Sequence, residues 1–268
     1  MKLISIQILR GLAALSVVIF HIRAIETQSI LQGPFALDPN QAVEPSLVSG
    51  LWKNGFMGVD LFFVISGFIM VYVTRDLAPG LRSVRSFLFA RITRIYPVWW
   101  LFASIMVIYF LITYGAPVDM GRVEATGESV WHYLFKSYFL VPLSEPPVLG
   151  VGWTLIHEMY FYLGFAILLL LPKKWLVPGL LVWAIGSASG ALLGLSRPSA
   201  GDYPSLIVHP MTLEFLAGAL AACLIKANIV VRPALLFIAS SVWLAASMQL
   251  VLAPEIGLGD WNAFMLQC

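Results

Sequence analysis

The chain has 268 residues, of which 60% are hydrophobic and only 11% are charged. An average soluble domain has about 25% charged residues, so this composition excludes an ordinary cytosolic globule and predicts a protein surrounded by lipid. The formal net charge of +2 is too small to indicate nucleic-acid binding. Cys223 and Cys268, the two cysteines, show no disulfide or metal-binding spacing, so neither a metal site nor redox chemistry is expected.

Seven apolar stretches approach the roughly 20 residues that a membrane-spanning helix needs. In chain order they are Ser5–Ala24, Phe56–Thr74, Tyr96–Tyr114, Val151–Leu171, Trp175–Leu195, Met211–Ile225 and Pro233–Leu252. They predict an all-α polytopic transmembrane helix bundle of about seven spans, with residues 1–268 in a single domain because no linker or repeat divides them. The run Tyr133–Leu143 is short and contains Lys136, which favours an interfacial or re-entrant segment over an eighth span.

Lysine and arginine indicate the orientation of the spans, because short loops rich in them stay in the cytoplasm. A cytoplasmic N-terminus gives the cytoplasmic side these basic residues: Lys2, Arg75, Arg82, Arg85, Arg91, Arg94, Lys173, Lys174, Lys226 and Arg232. Most acidic residues then fall outside. We therefore expect a multi-pass protein with its N-terminus in the cytoplasm. The apolar stretch Trp261–Leu266 resembles the start of another element, so we also expect the chain to be truncated.

Arg10 and His21 are polar residues within the first span. They lie eleven residues apart, close to three helical turns or about 16 Å, so their side chains project from one face. A charged arginine within a membrane helix costs at least about 2.5 to 3.5 kcal/mol, and such residues usually face a bundle interior or a cavity. A functional site is therefore expected. The alternative is that Arg10 reaches the cytoplasmic surface while His21 lies in the outer interface.

Glu158 is a second intramembrane charge, about two turns from the outer end of the fourth predicted span and at the depth expected for His21. A contact between them would fix the imidazole tautomer and raise its basicity, as a general base requires. His157 next to Glu158 does not indicate a zinc peptidase, because position 161 is Phe161 rather than a second histidine. Glu214 is another intramembrane acid, and a structural role fits it.

Three further features of the sequence allow more than one interpretation. Arg91 and Arg94 share a helical face just before Pro97 and suit phosphate recognition, but the positive-inside rule and anionic lipid headgroups alone also place arginines there. Asp60 fits either the neutralisation of a nearby cation or the capping of a helix start. Ser66 fits helix packing better than nucleophilic catalysis, because no base lies beside it in the sequence.

Four blocks, in a fixed order, resemble the acyltransferase-3 family of integral membrane O-acyltransferases, especially those that modify exopolysaccharide, O-antigen and Nod-factor glycans. The blocks are Ile6-Gln7-x-Leu9-Arg10-Gly11-x-Ala13-Ala14 through His21, Gly58-Val59-Asp60-Leu61-Phe62-Phe63-x-x-Ser66-Gly67-Phe68, Arg91-x-x-Arg94-x-Tyr96-Pro97 and Gly152-Trp153-Thr154-Leu155-x-x-Glu158-x-x-Phe161-Tyr162. Leu213-Glu214-Phe215-x-x-Gly218 is similar to a later block of the family. Members of the family usually have more spans than this chain offers.

The resemblance implies a bacterial inner-membrane enzyme that transfers an acyl group, expected to be acetyl, from cytoplasmic acyl-CoA to a glycan hydroxyl on the outer side. It implies that Arg10 and His21 form the essential pair, with His21 as base or acyl relay and Arg10 at the donor. Glu158 is expected near the acceptor, orienting His21, and Arg91 and Arg94 are expected to hold the coenzyme A phosphates. The expected partners are acyl-CoA, a polysaccharide or lipid-linked saccharide and the bilayer, with no permanently bound cofactor.

Two other classes of protein fit the same residues. Intramembrane Arg, His and Glu also build the pathways of transporters and flippases, and a truncated chain can be an inactive acyltransferase. Consumption of a thioester distinguishes the first alternative, because a transporter moves its solute without releasing coenzyme A.

Overall fold

A computed structural model of the protein describes residues 4–32, 55–195 and 203–227, apart from the side chains of Ser5 and of residues 23–32. Within these ranges the regular elements are helices, as predicted. They are α1 (Ile4–Gln32), α2 (Met57–Thr74), α3 (Leu81–Tyr114), α4 (Met120–Thr126), α5 (Val130–Phe139), α6 (Trp153–Leu168), α7 (Leu176–Leu192), α8 (Tyr203–Ile207) and α9 (Pro210–Lys226).

Among the described residues, five helical stretches are long and apolar enough to cross a membrane: Met57–Thr74, Leu81–Tyr114, Gly150–Leu168, Lys173–Leu192 and Tyr203–Lys226. The apolar part of α1, Ile6–Ile22, is slightly shorter. The first six predicted spans therefore each coincide with one helix, which confirms an all-α membrane bundle. The seventh predicted span, Pro233–Leu252, lies outside the described residues.

The helix α3 has 34 residues and begins at Leu81, well before the predicted span start at Tyr96. It follows Gly80, whose φ of 124° suits glycine, and it continues through Pro97. The first 15 residues of α3 add about 22 Å of helix before the predicted span. Arg91 and Arg94 therefore lie on a continuous helix that leads into the membrane.

The helix α5 has only 10 residues, or about 15 Å, which is too short to cross the bilayer. Three hydrogen bonds hold α5 and the segment after it in place. The Tyr133 hydroxyl donates to Pro146 O (2.6 Å), the Val148 amide donates to Ser137 Oγ (3.2 Å), and Trp99 Nε1 donates to Ser137 O (3.1 Å). These bonds fix the chain that leads into α6 against α3, and the short helix agrees with the predicted interfacial segment.

The helices α2 and α9 cross closely at a pair of glycines. A Cβ at Gly67 would collide with the carbonyl oxygen of Phe215, and a Cβ at Gly218 would collide with that of Val64. Small residues let membrane helices approach backbone to backbone. The crossing brings Phe215 against Phe63, with ring centroids 4.7 Å apart, and stacks it on Phe161 at 4.1 Å. These aromatic rings form the centre of the core that supports the site.

Candidate functional site

Arg10 and His21 lie partly buried on the side of α1 that packs against α2, where Ala13 and Phe20 are buried. The two helices approach closely, since a Cβ added at Gly58 of α2 would lie only 2.5 Å from Ala13 O. Large apolar side chains are exposed on the rest of α1: Ile8, Leu9, Leu12, Leu15, Val18 and Ile22. The structure therefore places both polar residues on the side of α1 that packs against α2, away from its exposed apolar side chains.

A cavity of about 440 Å³ brings together three of the predicted site residues, Arg10 from α1, Arg94 from α3 and Glu158 from α6. Ser66 of α2 and Thr154 of α6 also line it. The remaining walls are mostly apolar: Val59, Phe62, Phe63, Ile95, Val98, Trp99, Phe102, Leu149, Val151 and Leu155. A large apolar space with a few convergent polar groups is the usual form of a small-molecule site.

The charges around this cavity are arranged asymmetrically. Arg10 interacts electrostatically with Glu158, which attracts it, and with Arg94 and Arg91, which repel it. The Tyr162 hydroxyl donates a hydrogen bond to Glu158 Oε1. Within residues 4–22, 55–195 and 203–227, the salt bridges found do not include Arg10 or Arg94. One carboxylate thus faces more than one guanidinium, which leaves an excess of positive charge for an anionic or carbonyl ligand.

Arg91 and Arg94 have different surroundings, although they share one side of α3. Arg91 is 9% exposed, and its guanidinium lies over the rings of Phe87 (5.4 Å) and Tyr162 (5.5 Å). Its Nε atom is buried without a hydrogen-bond partner. Arg94 is exposed and lines the cavity. Arg94 can therefore reach a ligand directly, whereas Arg91 lies behind the cavity wall between α3 and α6.

His21 lies beside a separate, smaller space of about 80 Å³, named the His21 chamber below. Its walls are Val17, Phe20, His21, Phe56, Val59, Val151, Trp153 and Thr154. Val59, Val151 and Thr154 also line the larger cavity, so the two spaces meet at these side chains. The chamber gives His21 an almost apolar environment that is adjacent to the cavity of Arg10.

The structure does not bring together Glu158 and His21, whose contact the sequence predicted. Glu158 lines the cavity with Arg10 and binds the Tyr162 hydroxyl, and no hydrogen bond or ion pair among the described side chains joins it to His21. The residues of α6 that line the His21 chamber are Trp153 and Thr154, about one turn before Glu158. Similar depth along two helices does not determine which side chains face each other, and Glu158 lines the cavity of Arg10 instead.

Two pairs of polar residues on α2, α6 and the start of α9 come together, although the sequence did not predict these contacts. Asp60 of α2 and Glu214 of α9 are close enough to repel each other when both are ionised. His157 bonds Trp153 O through Nδ1 (3.0 Å), and its ring meets that of His209 at 4.3 Å. Asp60 does not cap α2, whose start has no side-chain cap. Among the described residues, no group of His, Cys, Asp and Glu has the arrangement of a metal site.

Comparison with known proteins matches the chain to one family model and to several relatives. A family model described as an acyltransferase domain matches residues 3–267. The chain is 36% identical over 174 residues to the exopolysaccharide production protein ExoZ of Rhizobium meliloti (strain 1021), covering 61% of this chain and 49% of that protein. It is 30% identical over 197 residues to the acyltransferase MdmB of Streptomyces mycarofaciens, covering 71% and 45% of the two chains.

A third relative is the peptidoglycan O-acetyltransferase OatA of Listeria monocytogenes, 30% identical over 131 residues, which cover 46% of this chain and 21% of that protein. The alignments thus span about half or less of the length of these curated relatives. No solved structure matches the chain significantly.

Proposed function

Since the chain belongs to the acyltransferase-3 family, whose model matches residues 3–267, we propose that it transfers a short acyl group, acetyl in the first instance, from cytoplasmic acyl-CoA to a hydroxyl of a cell-surface or exopolysaccharide glycan. The observation that carries the proposal is the cavity that gathers Arg10, Arg94 and Glu158 and meets the His21 chamber. It joins a basic region near the predicted cytoplasmic side to a histidine near the predicted outer side.

The donor enters from the cytoplasm under this proposal, which is supported by the basic residues near the N-terminus and in the first turns of α3, a pattern typical of cytoplasmic segments. The thioester arm lies in the mostly apolar cavity, with Arg94 and Arg10 meeting its negatively polarised oxygens and the phosphates of coenzyme A. Arg91, buried against Phe87 and Tyr162, contributes positive potential and holds α3 against α6 rather than contacting the donor.

His21 acts as the general base at the junction of the two spaces. Its neutral imidazole takes the proton of the acceptor hydroxyl as the oxygen attacks the thioester carbonyl carbon. The new C–O bond forms, the C–S bond breaks, and the imidazolium returns the proton to the departing thiolate, which leaves as coenzyme A. The guanidinium groups of Arg10 and Arg94 stabilise negative charge that develops on the donor during this step.

Glu158 has a different duty from the predicted orientation of His21. It lies in the cavity with Arg10 and Arg94, and it accepts a hydrogen bond from Tyr162. A carboxylate in this place offsets the repulsion between the two guanidinium groups and fixes where they point. Glu158 is therefore a positioning residue for the donor side, and Thr154 is the polar residue of α6 that lines the chamber of the base.

A glycan acceptor is proposed because one relative is named for exopolysaccharide production and another for peptidoglycan O-acetylation. A glycan presents hydroxyl groups on the outer side of the membrane, where the proposed orientation places His21. Under this proposal the cavity of Arg10 and Arg94 receives the cytoplasmic donor, and the acceptor reaches His21 from the outer side.

The test is an ester analysis of the surface polysaccharide from cells that lack the gene and are complemented with single variants. The full chain should restore an alkali-labile acetyl ester, and Arg10→Ala should lower it on the order of 100-fold because a positioned charge donor is lost. Arg82→Ala removes an exposed arginine of α3 outside the cavity and is the matched control. Equal ester content in cells with and without the gene would contradict the proposal, and solute movement without thioester loss would favour a transporter.

A further inference from the structure

The His21 chamber is small, apolar and closed on one side by aromatic rings. Phe20 and Phe56 meet edge to face with ring centroids 5.8 Å apart, and Phe20 also meets the His21 ring edge to face at 5.5 Å. Phe20 is buried, so its ring has little room to turn aside. At about 80 Å³ the chamber has space for only a few groups the size of a water molecule.

The position of the chamber makes it the end of the donor path. Val59, Val151 and Thr154 form the junction between the larger cavity and the chamber. A thioester that extends from Arg10 and Arg94 toward His21 must bring its carbonyl carbon to this junction. The alkyl end of the acyl group then has one apolar space ahead of it, and that space ends at the rings of Phe20 and Phe56.

We propose, resting on the transfer reaction inferred above, that the His21 chamber binds the alkyl end of the acyl group and that Phe56 and Phe20 limit the length of acyl chain that fits. An acetyl group places one methyl in the chamber without displacing a wall. A longer chain must push the two rings apart, and filling a packed space beyond its volume is unfavourable. One methylene in an apolar pocket changes enzyme selectivity about 10- to 200-fold. Acetyl is therefore preferred over butyryl, which has two more methylenes, by at least about 10-fold.

The experiment uses membranes that contain the full chain and the native acceptor, supplied with an equimolar mixture of acetyl-CoA and butyryl-CoA. Esters on the glycan fraction are released with alkali, and the acetyl to butyryl ratio is measured by mass spectrometry. Phe56→Ala opens the chamber and should lower this ratio at least about 10-fold. Phe56→Leu removes less volume and should give an intermediate ratio, which keeps the test valid when the alanine variant does not fold.

Phe135→Ala is the matched control, since it removes an exposed phenylalanine of α5 that lines neither space, and its ratio should equal that of the wild type. A wild-type chain that transfers butyryl as readily as acetyl, or a Phe56→Leu variant that transfers acyl groups with an unchanged ratio, overturns the chamber proposal alone. Membranes that transfer neither acyl group overturn the transfer reaction itself.

Discussion

Replacement of Gly218 by alanine should destabilise the bundle at the crossing of α2 and α9. The added Cβ meets the backbone carbonyl of Val64, which cannot move without its helix, so the two helices must separate. Overpacking of this kind costs about 1 to 3 kcal/mol. An alanine in a helix interior otherwise gains up to about 1 kcal/mol over glycine, and this gain partly offsets the cost.

Gly186→Ala isolates the packing term, because Gly186 lies within α7 and a Cβ there meets nothing within 4 Å. The helix-propensity gain is shared by both variants, so the difference between them is the overpacking cost of about 1 to 3 kcal/mol. At roughly 2 to 4 °C per kcal/mol, the Gly218→Ala protein should unfold about 2 to 12 °C below the Gly186→Ala protein. Thermal unfolding in detergent, followed by tryptophan fluorescence, measures the difference. Equal midpoints would refute the close glycine crossing.

Three further predictions concern the support of the site. Burial raises the pKa of Tyr133 in the folded chain. The Tyr133 hydroxyl therefore ionises at a lower pH in the unfolded chain, and Tm should fall as the pH rises past about 10. Tyr133→Phe should remove this contribution to the loss of Tm at alkaline pH. Ser137→Ala leaves the buried Val148 amide without its acceptor and should lower the free energy of unfolding by about 1 to 3 kcal/mol in denaturant titrations. An unchanged free energy of unfolding would contradict this prediction. Arg91→Met should destabilise by about 1 to 2 kcal/mol through lost contacts with two rings, whereas the exposed Arg85→Met should not.

The part of the site predicted from sequence is the part that depends on local periodicity. The helical repeat of 3.6 residues placed Arg10 and His21 on one side of α1, and the structure packs that side against α2. Hydropathy located the spans of α2, α6, α7 and α9 to within a few residues. It could not show that α3 begins at Leu81, because hydropathy marks the lipid-crossing part of a helix and not its polar extension.

The part that sequence could not predict depends on depth and on contacts between distant helices. The contact expected between Glu158 and His21 was based on similar depth along two helices, and depth alone does not determine which side chains face each other. The approach of Asp60 to Glu214 follows from the glycine crossing of two helices that lie far apart in the chain. The two spaces that meet at Thr154 likewise form only when three or more helices pack. Spacing along one helix contains no information on such contacts.

The release of free coenzyme A from acetyl-CoA, in membranes that contain the native acceptor, tests the central claim most directly. His21→Ala should lower the release on the order of 10² to 10⁴-fold at equal protein level, because a positioned base is lost. His132→Ala, which removes an exposed histidine of α5 outside both spaces, should leave it unchanged. Undiminished release by the His21→Ala protein would contradict the account.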